Sequence, residues 1–382
     1  MYKIPLSEPS FKGNEWKYVK ECLDDGWVSS AGKYVNLFEE KISNYTKSKY
    51  SVACVNGTAA LQIALKLVGV RYDDEVIAPT LTFIAPINAI SYCNAKPVFM
   101  DCDNYYNIDT EKIINFINEE TVFKNGFTFN KRTNKRIKAI VFVHVWGNAC
   151  TFNSIIDLCR NRNISIVEDS SESLGTFYKN RHNGNHTGLI GDIGCISFNG
   201  NKIITTGGGG MLVTNNSSFA EKAKYLTTQA KDDPIYYRHD EVGYNFRLTN
   251  IQAALGVAQL EQLPYTLKRK KEIYNFYNDN INQIDGLSLA GVPKYANNNH
   301  WLNLLQISNS NSNSRDLLMS KLDKNGIISR PVWMLNHLQT PYKNCESYKI
   351  ENAKKLVTNS LCLPSSSTLH EEHMNQIIEQ LK

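Results

Sequence analysis

Ile164-Ser165-Ile166-Val167-Glu168-Asp169-Ser170-Ser171-Glu172-Ser173-Leu174-Gly175 is a short apolar, β-branched run that stops at a pair of acids. Such a run reads as a buried strand of a parallel sheet, because both of its faces must be covered. It delivers Asp169 at the strand's carboxyl end, the edge where open α/β sheets hold their ligands. A carboxylate there can pair with a protonated heterocyclic nitrogen; it can also cap the following helix or sit solvated in a loop.

Toward the amino terminus, Ser51-Val-Ala-Cys-Val-Asn-Gly-Thr-Ala-Ala-Leu-Gln-Ile-Ala-Leu65 reads as a strand, a small-residue turn and a helix with Ala60, Ile63, Ala64 and Leu67 on one stripe. Gly57 lets the backbone approach a ligand, and Thr58 is placed to cap. The amides of Thr58 and Ala59 at this helix start form an anion site, since free N–H groups and the helix dipole both favour a phosphate. An ordinary strand-turn-helix has the same pattern.

Toward the carboxyl terminus, Gly194-Cys-Ile-Ser-Phe-Asn-Gly-Asn-Lys-Ile-Ile-Thr-Thr-Gly-Gly-Gly-Gly210 frames Lys202 between a strand and four glycines. A partly desolvated amine on a short loop can condense with an aldehyde, because burial frees its lone pair. A solvated lysine before a glycine turn is the plain alternative. An anion site, a ring acid and an amine in this order form a coherent set.

These stretches, with Trp27-Val-Ser-Ser-Ala-Gly32, Pro79-Thr-Leu-Thr-Phe83, Asp101-Cys-Asp103, Val143-His-Val-Trp-Gly147 and Gly243-Tyr-Asn-Phe-Arg247, resemble the DegT/DnrJ/EryC1/StrS family of sugar aminotransferases over nearly the whole chain. The resemblance implies an α/β fold of the fold type I aminotransferase kind and pyridoxal 5'-phosphate as cofactor. It implies Lys202 as the Schiff-base lysine and proton shuttle, Asp169 on the pyridine nitrogen and Phe83 on the ring face. Gly57, Thr58, Ala59 and Ser197 fall at the phosphate. Glu172 stands where relatives commonly carry glutamine near the phenolic oxygen, which keeps the acceptor and adds a charge when ionised. Relatives that act as dehydratases carry histidine in place of the lysine, so Lys202 argues for transamination; a non-catalytic nucleotide-binding module is expected to lack the acid or the lysine.

Asn245 in the resemblance reaches a neighbouring subunit's cofactor phosphate, which implies a homodimer with shared active sites; taken alone it reads as a helix cap. His144, Arg247 and Arg330 are substrate-side candidates. A lone histidine at a strand end, as His144 is, is more often a structural residue; Arg330 can meet a diphosphate through its planar fork or be a surface arginine before proline. His337-Leu-Gln-Thr-Pro-Tyr342 and Leu361-Cys-Leu-Pro-Ser365 resemble the subgroup acting on UDP-linked keto sugars. The implied reaction takes an amino group from L-glutamate to a UDP-linked 4-keto-6-deoxy-N-acetyl hexose, for surface polysaccharide or lipopolysaccharide; GDP- or dTDP-linked 3- or 4-keto sugars are the alternative.

A chain of 382 residues, 42% hydrophobic, can bury one large core and one smaller one. The expectation is a large domain over 1–250, with a mostly parallel seven-stranded sheet covered by helices, and a smaller α+β domain over 251–382. The strands fall at 51–55, 75–78, 97–101, 137–143, 164–168, 194–198 and 210–214, and in the small domain at 285–289, 302–308 and 326–332. The segment 124–135 reads as an inserted hairpin, 178–192 as a surface loop near the site, and 308–314 as a polar linker.

A net charge of +5 without a dense basic block excludes a nucleic-acid binder, and Lys268-Arg-Lys-Lys271 reads as the solvated face of a helix. The nine cysteines are scattered without a Cys-x-x-Cys pair, which fits reduced thiols in the cytoplasm. The eight histidines show no metal spacing. With no apolar signal core and no run of about 18 apolar residues, a soluble protein away from the membrane is expected.

Overall fold

The computed structural model describes residues 4–179, 181–233, 235–308 and 312–382. Its main sheet runs in the order Tyr50–Cys54, Gly210–Thr214, Ile193–Ser197, Ser165–Asp169, Ile137–Val143, Glu75–Pro79, Lys96–Met100 and Glu346–Tyr348. Only Gly210–Thr214 runs against the rest: it pairs antiparallel with both neighbours, and every other pairing is parallel. The sheet is α/β as expected, with eight strands instead of seven.

Both faces are covered, which is why the central strands are apolar at successive positions. Val76, Ala78, Val141 and Val143 pack on one face with Leu61, Ile63 and Ala64 of the helix Gly57–Leu67. Ile77, Ile140 and Phe142 pack on the other with Ile113, Phe116 and Ile155. Strand polarity then brings the ends of Tyr50–Cys54, Glu75–Pro79, Ser165–Asp169 and Ile193–Ser197 to one edge, where the reversed strand begins at Gly210.

The helix Asn250–Ile281 opens on a capping box between Thr249 and Gln252 and leads into a second sheet, ordered Leu287–Leu289, Asn303–Ile307, Ser360–Leu363 and Arg330–Pro331. Ile273, Tyr277, Leu305, Leu361 and Ile377 form its core. Several connections cross the expected division at residue 250, among them the pairing of Ala296–Asn297 with Phe177–Tyr178. Ile4 bridges to Ile327, and Glu346–Tyr348 pairs with Lys96–Met100 of the main sheet. The latter is the eighth strand, and Glu-Ser-Tyr carries no apolar run to announce it.

The inserted hairpin is present as Thr121–Lys124 and Phe127–Asn130, turning at Asn125 and Gly126, both with positive φ. In the polar run 308–314, residues 309–311 lie outside the described residues, and a helix spans Ser312–Lys324. Lys270 departs from the solvated face expected of its cluster. It is buried and donates to the carbonyls of Trp301 at 2.8 Å and Ser365 at 2.5 Å, and burial lowers its pKa to about 7. Among the described residues, no helix is long and apolar enough to cross a membrane.

Candidate active site

A cavity of about 320 Å³ opens at the carboxyl edge of the main sheet. Its floor is the start of the helix Gly57–Leu67, where Asn56 is the N-cap and its side-chain oxygen accepts from Ala59 N at 2.8 Å. A Cβ on Gly57 would stand 2.8 Å from Ser197 Cβ, and one on Gly210 would stand 2.5 Å from Asn56 O. Only glycine lets the helix start, Ser197 and the glycine run meet this closely. Gly57 and Thr58 at this helix start line the cavity with Ser197, and together they make a cradle for an anion.

Lys202 enters from the turn after Ile193–Ser197. Its Nζ lies 3.6 Å from Glu172 Oε1 and 4.2 Å above the Trp301 ring. Glu172 is buried, and its Oε2 accepts from Trp146 N at 2.7 Å. Burial pushes its pKa up to about 7 against the pull of the Lys202 charge. Burial likewise holds the Asp169 carboxyl above its usual range, opposed by hydrogen bonds from Ser171. The cavity therefore offers two acids of reduced acidity and one amine within reach of each other.

Lys202, Asp169, Glu172, Gly57, Thr58, Ser197 and Phe83 all line this cavity, as the sequence led us to expect. Phe83 stands at the mouth, 50% exposed. Ala59 does not: its amide is taken by the Asn56 cap, so the cap falls one residue before the helix and not at Thr58. His144 does not line the cavity either. It is fully buried, its Nδ1 accepts from Cys150 N at 3.0 Å, and its Nε2 donates to Glu168 Oε2 at 2.9 Å.

Arg247 sits half-buried outside the cavity near Gln229, and Arg330 is exposed on a strand of the second sheet, bonded to the carbonyl of Ser329. Asn245 is exposed and bridges to Thr228, apart from its own chain's cavity. Among its described residues, the loop 178–192 contributes no lining residue. It turns inward, where the amides of Gly188, Ile190 and Gly191 bind Glu168. Asn56, Ser171, Asn199, Asn201 and Trp301 line the cavity without having been singled out. Asn56 was readable as an N-cap before a small-residue helix start, and Trp301 as a lone indole after a polar run.

Pyridoxal phosphate fits this donor set. The amide cradle at Gly57, Thr58 and Ser197 suits its phosphate, the raised carboxyl of Asp169 suits a cationic ring nitrogen, and Lys202 is the only amine among the lining residues described. When bound, the cofactor supplies an aldehyde for the amine and an electron-withdrawing ring.

Comparison with known proteins agrees with this chemistry. The sequence profile of the DegT/DnrJ/EryC1/StrS aminotransferase family matches residues 9–382. GDP-perosamine synthase of Escherichia coli O157:H7 is 37% identical over 100% of this chain and 98% of its own, and that of Caulobacter vibrioides is 34% identical over 99% and 97%. The solved structure of Helicobacter pylori PseC, an aminotransferase involved in the biosynthesis of pseudoaminic acid, superposes with a TM-score of 0.88 at 25% identity, covering 99% of this chain and 98% of its own. With an amine, a ring acid and an anion cradle converging on one cavity, and with matches that run its full length, this chain belongs to the DegT/DnrJ/EryC1/StrS family and is a pyridoxal-phosphate-dependent transaminase.

Proposed function

We infer that the enzyme moves an amino group from L-glutamate to a 4-keto sugar carried on a nucleoside diphosphate, with guanosine diphosphate as the carrier. The convergence of Lys202, Glu172 and Asp169 on one cavity carries the transaminase half of this reading. The GDP-perosamine synthases, similar over their whole length, support the carrier. The UDP-linked N-acetyl sugar expected from the subgroup motifs becomes the second choice.

Lys202 takes the proton from the donor's carbon and returns it in the acceptor half, which needs an amine that can shed its charge. Glu172, with a pKa of about 7, accepts hydrogen bonds beside that amine and tempers its charge. Asp169 stabilises positive charge at the ring nitrogen. Incubating the purified enzyme with glutamate and GDP-, dTDP- or UDP-linked 4-keto-6-deoxy sugars should yield 2-oxoglutarate and the amino sugar fastest from the GDP-linked acceptor. Preference for the UDP-linked sugar would reverse the choice of carrier.

The acting form in this reading is a cytoplasmic homodimer with Asn245 completing the partner's site. Its exposure outside its own cavity supports this, as do the exposed apolar side chains Trp16, Trp27, Ile235, Tyr236 and Tyr237. Lys202→Ala and Asn245→Asp should each be inactive or impaired alone. Mixed and exchanged, they should recover about a quarter of wild-type activity, because each mixed dimer holds one intact site. No recovery on subunit exchange would place Asn245 outside the shared site.

A further inference from the structure

Two indoles, Trp301 and Trp333, line the active cavity, and both arrive from the carboxyl-terminal third of the chain. Trp146 lies behind them, in the turn after Ile137–Val143, and is only 3% exposed. Its ring stacks on Trp333 with centroids 3.9 Å apart at 17°, and stands nearly parallel to Trp301 at 6.0 Å and 21°. Phe83 extends this surface at the mouth, 6.1 Å from Trp333.

The stack is fixed from several sides. Trp146 has a left-handed backbone, φ 59, which is rare for a bulky side chain and persists only where the surroundings impose it. Its amide is held by the Glu172 carboxylate, so one residue joins the acid beside Lys202 to the indole wall. The chamber it borders, shared with His300 and Asn303, is only about 10 Å³, so the ring is packed by protein and not bathed by solvent. Trp301 is pinned at both ends: its indole N–H donates to Asn201 O at 2.7 Å, and its carbonyl accepts from Lys270.

We propose that Trp146 is a positioning residue for the acceptor: it holds Trp301 and Trp333 as a flat apolar wall that receives the carbon–hydrogen face of the sugar ring. This rests on the keto-sugar reading above. A pyranose offers one face of C–H groups, and an aromatic face gains contact with it without stranding a polar atom. Lys202, whose Nζ lies 4.2 Å above the Trp301 ring, stands where that wall meets the acids Glu172 and Asp169, and so beside the carbonyl to be aminated. The amino donor has no comparable face. Its carboxylates are repelled by the negative π-surface of an indole, so the wall serves one half of the reaction only.

The test uses the holoenzyme and follows the two half-reactions separately, by cofactor absorbance with glutamate and by amino-sugar formation with the keto sugar. Trp333→Ala should raise the acceptor KM about 10-fold, and Trp146→Leu by a similar factor as Trp333 loses its stacking partner. The glutamate half-reaction should stay within about 3-fold of wild type, and Trp333→Phe should restore most of the acceptor affinity. Should Trp146→Leu fail to fold, the two Trp333 variants decide. An unchanged acceptor KM in Trp333→Ala, or equal losses in both half-reactions, overturns the proposal. Failure of the wild-type enzyme to aminate any nucleotide-linked keto sugar is a different result, and refutes the acceptor class itself.

Discussion

Lys202→Ala is expected to lower kcat by at least about 10³-fold while leaving the fold in place, since a positioned acid–base group alone contributes about 10²- to 10⁴-fold and in the proposed mechanism the amine is also the nucleophile. Removing it takes the positive charge away from Glu172, whose carboxyl already has a pKa of about 7. That carboxyl then takes up a proton, so no bare charge is left in the cavity and the thermal midpoint moves little. Lys202→Arg is the sharper comparison. Arginine keeps the charge near Glu172 and above Trp301, but it does not deprotonate in proteins and so cannot shuttle the proton. Both variants should therefore be inactive by single-turnover assay. Retention of more than about a tenth of wild-type kcat in Lys202→Arg would mean that charge, and not proton transfer, is what position 202 supplies.

Residues that local chain geometry brings to the cavity were legible in the sequence. Asp169 sits at the end of an apolar strand, Lys202 follows one, and Gly57 opens a helix; each pattern is written within about ten residues, as strand and helix periods are. Ala59 was misread for an equally local reason. Asn56 is a better cap than Thr58, and capping consumes the very amide that was assigned to the phosphate.

What was not legible depends on chain segments far apart in sequence. Trp146, Trp301 and Trp333 meet only because the second sheet folds back over the edge of the first, and no periodicity in any one stretch reports that. Glu346–Tyr348 joins the main sheet through backbone pairing that its side chains do not announce. Lys270 looked solvated because its neighbours Lys268 and Lys271 are, yet one turn of helix decides which member of a basic cluster points inward. His144 was placed by its strand end at the cavity, whereas its partner Glu168, one residue before Asp169, points to the opposite side of the strand.

That pair leads to the second large effect. Glu168 is fully buried, and four donors converge on it. Oε1 accepts from Ile190 N and Gly191 N, both at 2.6 Å, and Oε2 accepts from Gly188 N and His144 Nε2, both at 2.9 Å. Because Cys150 N already donates to His144 Nδ1, the ring carries its proton on Nε2 and must donate there. Glu168→Gln keeps the shape but turns one acceptor into a donor, so two of the four donors face an amide NH2. The expected cost is about 3 kcal/mol, the range for breaking a buried charged hydrogen-bond set, read as a lower urea midpoint. The pH dependence follows from the sign of the shift. Burial alone would raise this carboxyl, but His144 and the loop amides outweigh it, so its folded pKa lies below the ordinary value of 4.5. Its contribution is thus fully present above the unfolded pKa and is lost as pH falls through the lower folded value. Asp169 and Glu172 shift the opposite way, so the wild type alone would blur the signal. The difference between wild type and Glu168→Gln isolates it: the gap should be constant from neutral pH down to about pH 5 and close in more acidic solution. A gap that stays open at the acid end would mean that the glutamine variant loses packing and not a charge. A gap that never opens would mean that the loop 188–191 finds other partners and that Glu168 does not secure the strand end on which Asp169 stands.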